Sequence, residues 1–206
     1  ENWTLSFFEA VNFGAFVGDP IKTQIIAKRI IHEAIRLKVK EVVICECGTA
    51  FRVMKHLVGE QPFKVSHIAE VMARYLKEGR MRVEKDRIKG LVTYHDPCQS
   101  ARNSGVIEEP RYVLNQLTSH FAEMTPNREY NLCCGGGGGL VALENEGFRE
   151  ETGKAKVSQI KETGAAIVAT GCENCHTQLN FLNERYGMGV KAEFLTNLVA
   201  NSLVLE

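Results

Sequence analysis

The sequence has no excess of charge of either sign and no long apolar run. Its 25 basic and 25 acidic residues cancel to a formal net charge of zero, so there is no electrostatic case for nucleic acid or an anionic membrane surface. No apolar stretch reaches the length of a membrane span, and no signal peptide opens the chain. A cytoplasmic protein without direct membrane insertion is expected. The seven cysteines are odd in number. Without a secretory signal they do not read as a disulfide framework, and metal or redox use accounts for them better. The chain begins at Glu1 rather than Met and reads as part of a longer protein.

What is present is a globular composition, 44% hydrophobic and 24% charged over 206 residues. That is enough for one large domain or two packed halves. The unusual stretch is Cys133-Cys134 running into Gly135, Gly136, Gly137, Gly138 and Gly139. Neighbouring thiols do not pair with each other without strain, but both can ligate one inorganic centre if the chain turns sharply. Glycine permits such a turn, and successive backbone N–H groups there favour negative charge. The bland alternative is a flexible linker carrying two spare thiols.

Short β-rich runs alternate with helical patterns. Glu41–Cys45, Leu91–Tyr94, Phe121–Met124 and Ala165–Ala169 read as strands. Helices are predicted from Asp19-Pro20, with Ile21, Ile25, Ile26, Ile30 and Ile31 as a core stripe, and then over about 49–58, 66–77, 110–119, 140–163, 176–186 and 193–204. Asn12-Phe13-Gly14, amid Trp3, Phe7, Phe8 and Phe16, reads as a turn. The fold class is α/β, with mostly parallel strands in Rossmann-like βα units. Ligands of such sheets sit beyond the carboxyl ends of the strands, where Cys47, Cys98 and Cys172 fall.

The two halves look alike. Glu41–Cys47 resembles Ala165–Cys172, Lys64–Glu70 resembles Lys191–Asn197, and Asn12-Phe13-Gly14 falls where Cys133-Cys134-Gly135 falls. An internal duplication is expected, with residues 1–90 a first repeat and 91–206 a second, divided at the charged connector 78–89. The first repeat is incomplete at its start and has lost ligands: Asn12 and Phe13 stand for the cysteine pair and Ala50 for the last thiol. Two βα units alike only in composition are the alternative.

Cys98, Cys133-Cys134 and Cys172-x-x-Cys175 supply five thiols. Four would satisfy tetrahedral zinc or a cubane cluster, so the centre is larger or differently shaped, or one thiol is structural. In order and approximate spacing these residues resemble the cysteine-rich "CCG" domain of the B and D subunits of heterodisulfide reductase. The same domain occurs in iron–sulfur subunits of glycolate, lactate and glycerol-3-phosphate oxidation systems. The resemblance covers 91–206. The aromatic start and Glu46-Cys47-Gly48 are most similar to the K subunit of the sulfite-reductase-associated membrane complex.

The resemblance implies a non-cubane 4Fe-4S centre on Cys98, Cys133, Cys134, Cys172 and Cys175, with Gly135, Gly136 and Gly137 lining it. It implies reduction of a disulfide-bearing small molecule or protein, and partner subunits of a redox complex, some in the membrane, holding this chain at its inner face. It also implies a ferredoxin-like segment outside this chain, since no Cys-x-x-Cys-x-x-Cys run is present. Handling in air can strip such a centre or leave zinc in its place. Competing functions are an electron-transfer subunit for a flavin dehydrogenase and a zinc-stabilised structural or interaction domain.

Other residues are weaker candidates. His95 and Asp96, in a loop beside Cys98, are either proton donors to a leaving thiolate or loop-fixing hydrogen-bonding groups. Cys47 is a substrate-side thiol, a relic ligand or a buried small hydrophobe; Cys45 reads as core. His176 reads as a helix cap or a supporting contact. Arg52 and Arg102 read as solvated surface or as contacts for an acidic partner.

Overall fold

The computed structural model describes residues 2–5, 12–143 and 145–205, with the side chains of residues 12 and 13 excepted. Phe7 and Phe8 of the aromatic segment lie outside the described residues. Asn12-Phe13-Gly14 opens a short helix, α1 (Asn12–Phe16), rather than a turn. Gly14 lets α1 close onto the next helix, since a Cβ there would sit 2.3 Å from the Thr23 nitrogen.

That helix, α2 (Pro20–Arg36), begins as the sequence dictates: Asp19 Oδ1 accepts the Lys22 N–H at 2.9 Å, and Pro20 occupies the first turn. Its isoleucines divide. Ile30 and Ile31 are buried with Thr23, Ala27 and Ala34, whereas Ile21 and Ile25 are 71% and 55% exposed. The small residues at 23, 27 and 34 select the inward face, and the helical period turns Ile21 and Ile25 away from it.

The first strand, β1 (Glu41–Ile44), pairs in parallel with β2 (Lys64–His67). Between them lie α3 (Gly48–Arg52) and a π-helical turn at Val53–Leu57. β1 is half-buried rather than buried. β2 departs from the helix predicted from Ser66. The helix α4 (Ile68–Lys77) starts two residues later, on a capping box in which His67 Nδ1 accepts the Ala69 N–H and Glu70 accepts the His67 N–H at 2.7 Å.

The second sheet runs β4-β3-β5-β6, all parallel. Its strands are β3 (Val92–His95), β4 (Phe121–Ala122), β5 (Ile167–Thr170) and β6 (Lys191–Phe194). The helices are α5 (Glu108–Leu117), α6 (Glu146–Thr163), α7 (Glu173–Tyr186) and α8 (Leu195–Ser202). β6 is a second strand read as helix in the sequence, and it too runs straight into its helix. His95 closes β3 instead of lying in the loop after it.

The fold is α/β. The one antiparallel contact among the described residues is an isolated bridge between Val83 and Leu203. That bridge belongs to the connector 78–89, which is pinned to the later part of the chain. Glu84 N donates to Ser202 O at 2.8 Å, Asp86 N to Leu117 O at 2.9 Å, and Ser119 N to Asp86 Oδ1 at 2.6 Å.

The largest core draws on both halves: Phe51, Ala69, Met72 and Ala73 pack with Val92, Tyr94, Leu114, Leu117, Leu195 and Val199. The loops after β1 and β5 also touch, Glu173 N donating to Glu46 O at 2.6 Å and Thr196 Oγ1 to Glu46 Oε1. No helix among the described residues is long and apolar enough to cross a membrane.

Because the core is shared, Phe51→Ala is expected to cost about 3–5 kcal/mol and to lower hydrogen-exchange protection in β3 and α8 as well as α3. Loss confined to residues before 90 would contradict a single core.

Candidate metal centre

The site grows from the end of β3. Asp96 is buried, and its carboxylate accepts both terminal nitrogens of Arg111 at 2.8 Å and the Arg128 backbone N–H at 2.8 Å. Its carbonyl accepts Asn131 Nδ2 at 2.5 Å. Arg111 is buried too and also donates to Glu123 at 2.6 and 3.0 Å. These carboxylates raise its pKa against the opposing effect of burial. Arg102 adds bonds to the carbonyls of Glu129 (2.6 Å) and Asn131. The segment leading to Cys133 is thereby fastened to the carboxyl end of the sheet.

The cysteine–glycine loop then turns over its own sulfurs. Gly135 N donates to Cys133 Sγ at 3.4 Å, and Gly136 N to Cys134 Sγ at 3.5 Å. Gly135 takes φ +84°, and a Cβ on it would meet Thr152 Oγ1 at 2.6 Å; one on Gly136 would meet Gln178 Cβ at 2.6 Å. Both glycines are required by close approach to α6 and α7. Gly137 is different: a Cβ there would meet nothing within 4 Å.

Cys172 caps α7, and Cys175 lies one turn inside it. Cys172 occupies the cap position without a side-chain cap bond, and the Cys175 thiol, with the backbone amides of Gly48, Cys175 and Asn174, draws its pKa down against burial. Cys98, Cys133, Cys134, Cys172 and Cys175 line one cavity of about 410 Å³, together with Thr49, Gln99, Gly135, Gly137, Gly138, Leu140 and Phe148. Cys134 Sγ and Cys175 Sγ are 3.4 Å apart.

The thiols polarise one another. Hydrogen bonds from Cys134 and Cys98 hold the Cys133 thiol far below its ordinary range, and a hydrogen bond from Cys175 lowers Cys172 to about 6 despite burial. The donors move the other way: Cys98 is raised by its bond to Cys133, and Cys175 by its bonds to Cys134 and Cys172.

His95 is buried behind the thiols, with neither ring nitrogen partnered among the described residues. Its ligand atom lies within 4.8 Å of those of Cys134 and Cys175. Burial holds its pKa well down, so the ring is neutral. Asp96 has both oxygens engaged by Arg111 and Arg128, a loop-fixing arrangement. Cys47 caps α3, its sulfur accepting Ala50 N at 3.4 Å, and stands outside the cavity wall. Cys45 is exposed rather than in the core. The His176 ring stacks on Phe194 at 4.2 Å, and Arg52 donates to Gln99 on the rim at 3.1 Å.

Sequence reading missed Arg111, Asn131 and Lys156. Lys156 carried a signal: with Gly153, Val157 and Ile160 it falls on the helical period that α6 buries.

A cysteine-rich domain family, CCG, matches residues 92–180, which hold all five cavity thiols. Residues 92–180 are a cysteine-rich domain of the CCG family. The curated relatives of this CCG chain include the D subunit of the dihydromethanophenazine:CoB–CoM heterodisulfide reductase of Methanosarcina mazei, 35% identical over 84% of the chain and 44% of the relative. The Hdr-like menaquinol oxidoreductase iron-sulfur subunit 2 of Archaeoglobus fulgidus is 32% identical over 68% of the chain and 26% of the relative. The EtfAB:quinone oxidoreductase of Syntrophomonas wolfei is 29% identical over 68% and 20%. The chain thus spans less than half the length of these relatives.

Two outcomes follow from this geometry. Arg111→Met strands a buried carboxylate and is expected to cost about 3–5 kcal/mol, read by urea denaturation. In metal-free protein at pH 6.5 an ordinary thiol, with pKa near 8.5, is only about 1% thiolate. Hydrogen bonds from Cys134 and Cys98 lower the Cys133 thiol whereas burial raises that of Cys45, so Cys133 is expected to react with iodoacetamide at least tenfold faster than Cys45, which is also exposed. Mass spectrometry of the labelled peptides checks the order.

Proposed function

We propose that the five cysteines hold an iron–sulfur centre of the non-cubane 4Fe-4S type, and that this domain serves a redox subunit of the heterodisulfide-reductase kind. The observation that carries the reading is the meeting of Cys98, Cys133, Cys134, Cys172 and Cys175 around one cavity beyond β3 and β5. Soft thiolates suit iron–sulfur chemistry, and five exceed what tetrahedral zinc uses. The open side at Gly137 leaves room for a bulky group, and the unpartnered nitrogens of His95 face a site without a donor or acceptor of their own.

Such a centre supplies reversible electron storage at a site with soft ligands. The chain's own groups would do the rest. The N–H groups of Gly135 and Gly136 would stabilise charge on the sulfurs of Cys133 and Cys134. The cavity mouth, beside the exposed Cys133, admits a small disulfide or a disulfide-bearing segment. Breaking the S–S bond takes two electrons and two protons and leaves two thiols. The electrons would come from a partner redox subunit and the protons from water at the mouth. Association with partner subunits at a membrane face is part of this proposal. A relay to a quinone or flavin partner, without disulfide chemistry, is the second reading, favoured by the EtfAB:quinone oxidoreductase among the relatives.

The division into repeats at 1–90 and 91–206 belongs to the same proposal. It is supported by the order strand, helix, parallel strand, helix in both β1-α3-β2-α4 and β5-α7-β6-α8, with a cysteine capping the first helix of each.

Anaerobically prepared protein is expected to contain about four irons per chain, with an EPR signal unlike a cubane's, and Cys133→Ser to lose most of that iron. Zinc without iron would defeat both redox readings. An ordinary cubane signal would leave only the relay.

A further inference from the structure

Lys156, on α6, is wholly shielded from solvent, at 0% exposure. Its Nζ donates to Asn131 Oδ1 at 2.7 Å, to Gln159 Oε1, and weakly to Met124 Sδ at 3.6 Å. All three are neutral acceptors, and Lys156 makes no ion pair among the described residues. A buried ammonium without a counter-charge costs several kcal/mol. The ionisable groups that favour its charge are the Cys134 and Cys175 thiols, then Asp96 and Cys133. Asp96 is already matched by Arg111, so what remains is the thiol cluster. Burial lowers the lysine to about 8, which leaves it mainly protonated at neutral pH. Asn131 holds it directly behind the turn that carries Cys133.

We infer that Lys156 is the fixed counter-charge of the five-thiolate centre, a positioning residue that favours the reduced, more negative form and so raises its reduction potential. The inference rests on the iron–sulfur reading above. Potentials of such centres respond to nearby net charge, and here a full positive charge is held in a dry interior where screening is weak.

The test compares the wild type with K156M and K156Q, each prepared iron-free and after anaerobic loading with iron and sulfide. With iron content unchanged, both variants are expected to shift the reduced-to-oxidised ratio at fixed potential at least tenfold toward oxidised, about 59 mV for a one-electron couple. Iron-free K156M should change little in Tm, because the buried charge it removes has only the thiols to balance it, while its gain in Tm on loading shrinks. Unchanged potentials in both loaded variants would overturn the inference and leave the iron–sulfur reading standing. So would an equal loss of Tm with and without iron, or failure of both variants to fold iron-free, since each marks a purely structural lysine. A wild type that takes up no iron would fail the iron–sulfur reading itself, and this inference with it.

Discussion

One buried carboxylate orders the region around the thiols. Asp96 follows the last residue of β3 and receives two arms of Arg111 and the backbone N–H of Arg128, while its carbonyl receives Asn131. A buried ion pair gains little over an apolar pair of equal volume, but it fixes geometry because neither partner tolerates losing the other. The geometry fixed here is the distance between a strand end and the loop bearing Cys133 and Cys134. Without that clamp the segment leading to Cys133 would be held by Arg102 and Lys156 and by the glycine contacts with α6 and α7, but not by the end of β3.

The glycines and the thiols divide the remaining work. Gly135 and Gly136 are pressed against Thr152 and Gln178, so the loop lies flat on α6 and α7, and their N–H groups face sulfur. Cys172 stands at the N-terminus of α7, whose amides favour anionic sulfur. The sulfurs are thus surrounded by backbone donors on one side and open to the cavity on the other, an environment suited to anionic sulfur.

The thiol motif stood out in the sequence more sharply than the short strands did, for physical reasons. Cysteine and glycine have few other reasons to cluster, so Cys133-Cys134-Gly135 and Cys172-x-x-Cys175 stand out as residue types. β2 and β6 did not, because each is four residues long and passes into a helix with no glycine or proline to mark the change. His67 even serves both elements, ending β2 and capping α4. The isoleucines of α2 misled in the opposite way. Apolar residues at helical spacing suggest a buried stripe, yet Thr23, Ala27 and Ala34 define the buried face and Ile21 and Ile25 point outward. Lys156 was overlooked because lysine is almost always a surface residue. Its helical phase with Val157 and Ile160 was the only sign of its burial.

The match to the CCG family starts at residue 92, but the enclosure of the thiols does not. Gly48 lies close against Gln99 and Ser100, Thr49 stands in the cavity wall, and the Glu46 carbonyl holds the first N–H of α7. The smallest piece able to keep the site closed is therefore larger than the piece that carries its signature. A fragment cut at residue 92 would keep all five cavity thiols and lose a wall, and water would reach Cys172 from the side that the earlier half now covers.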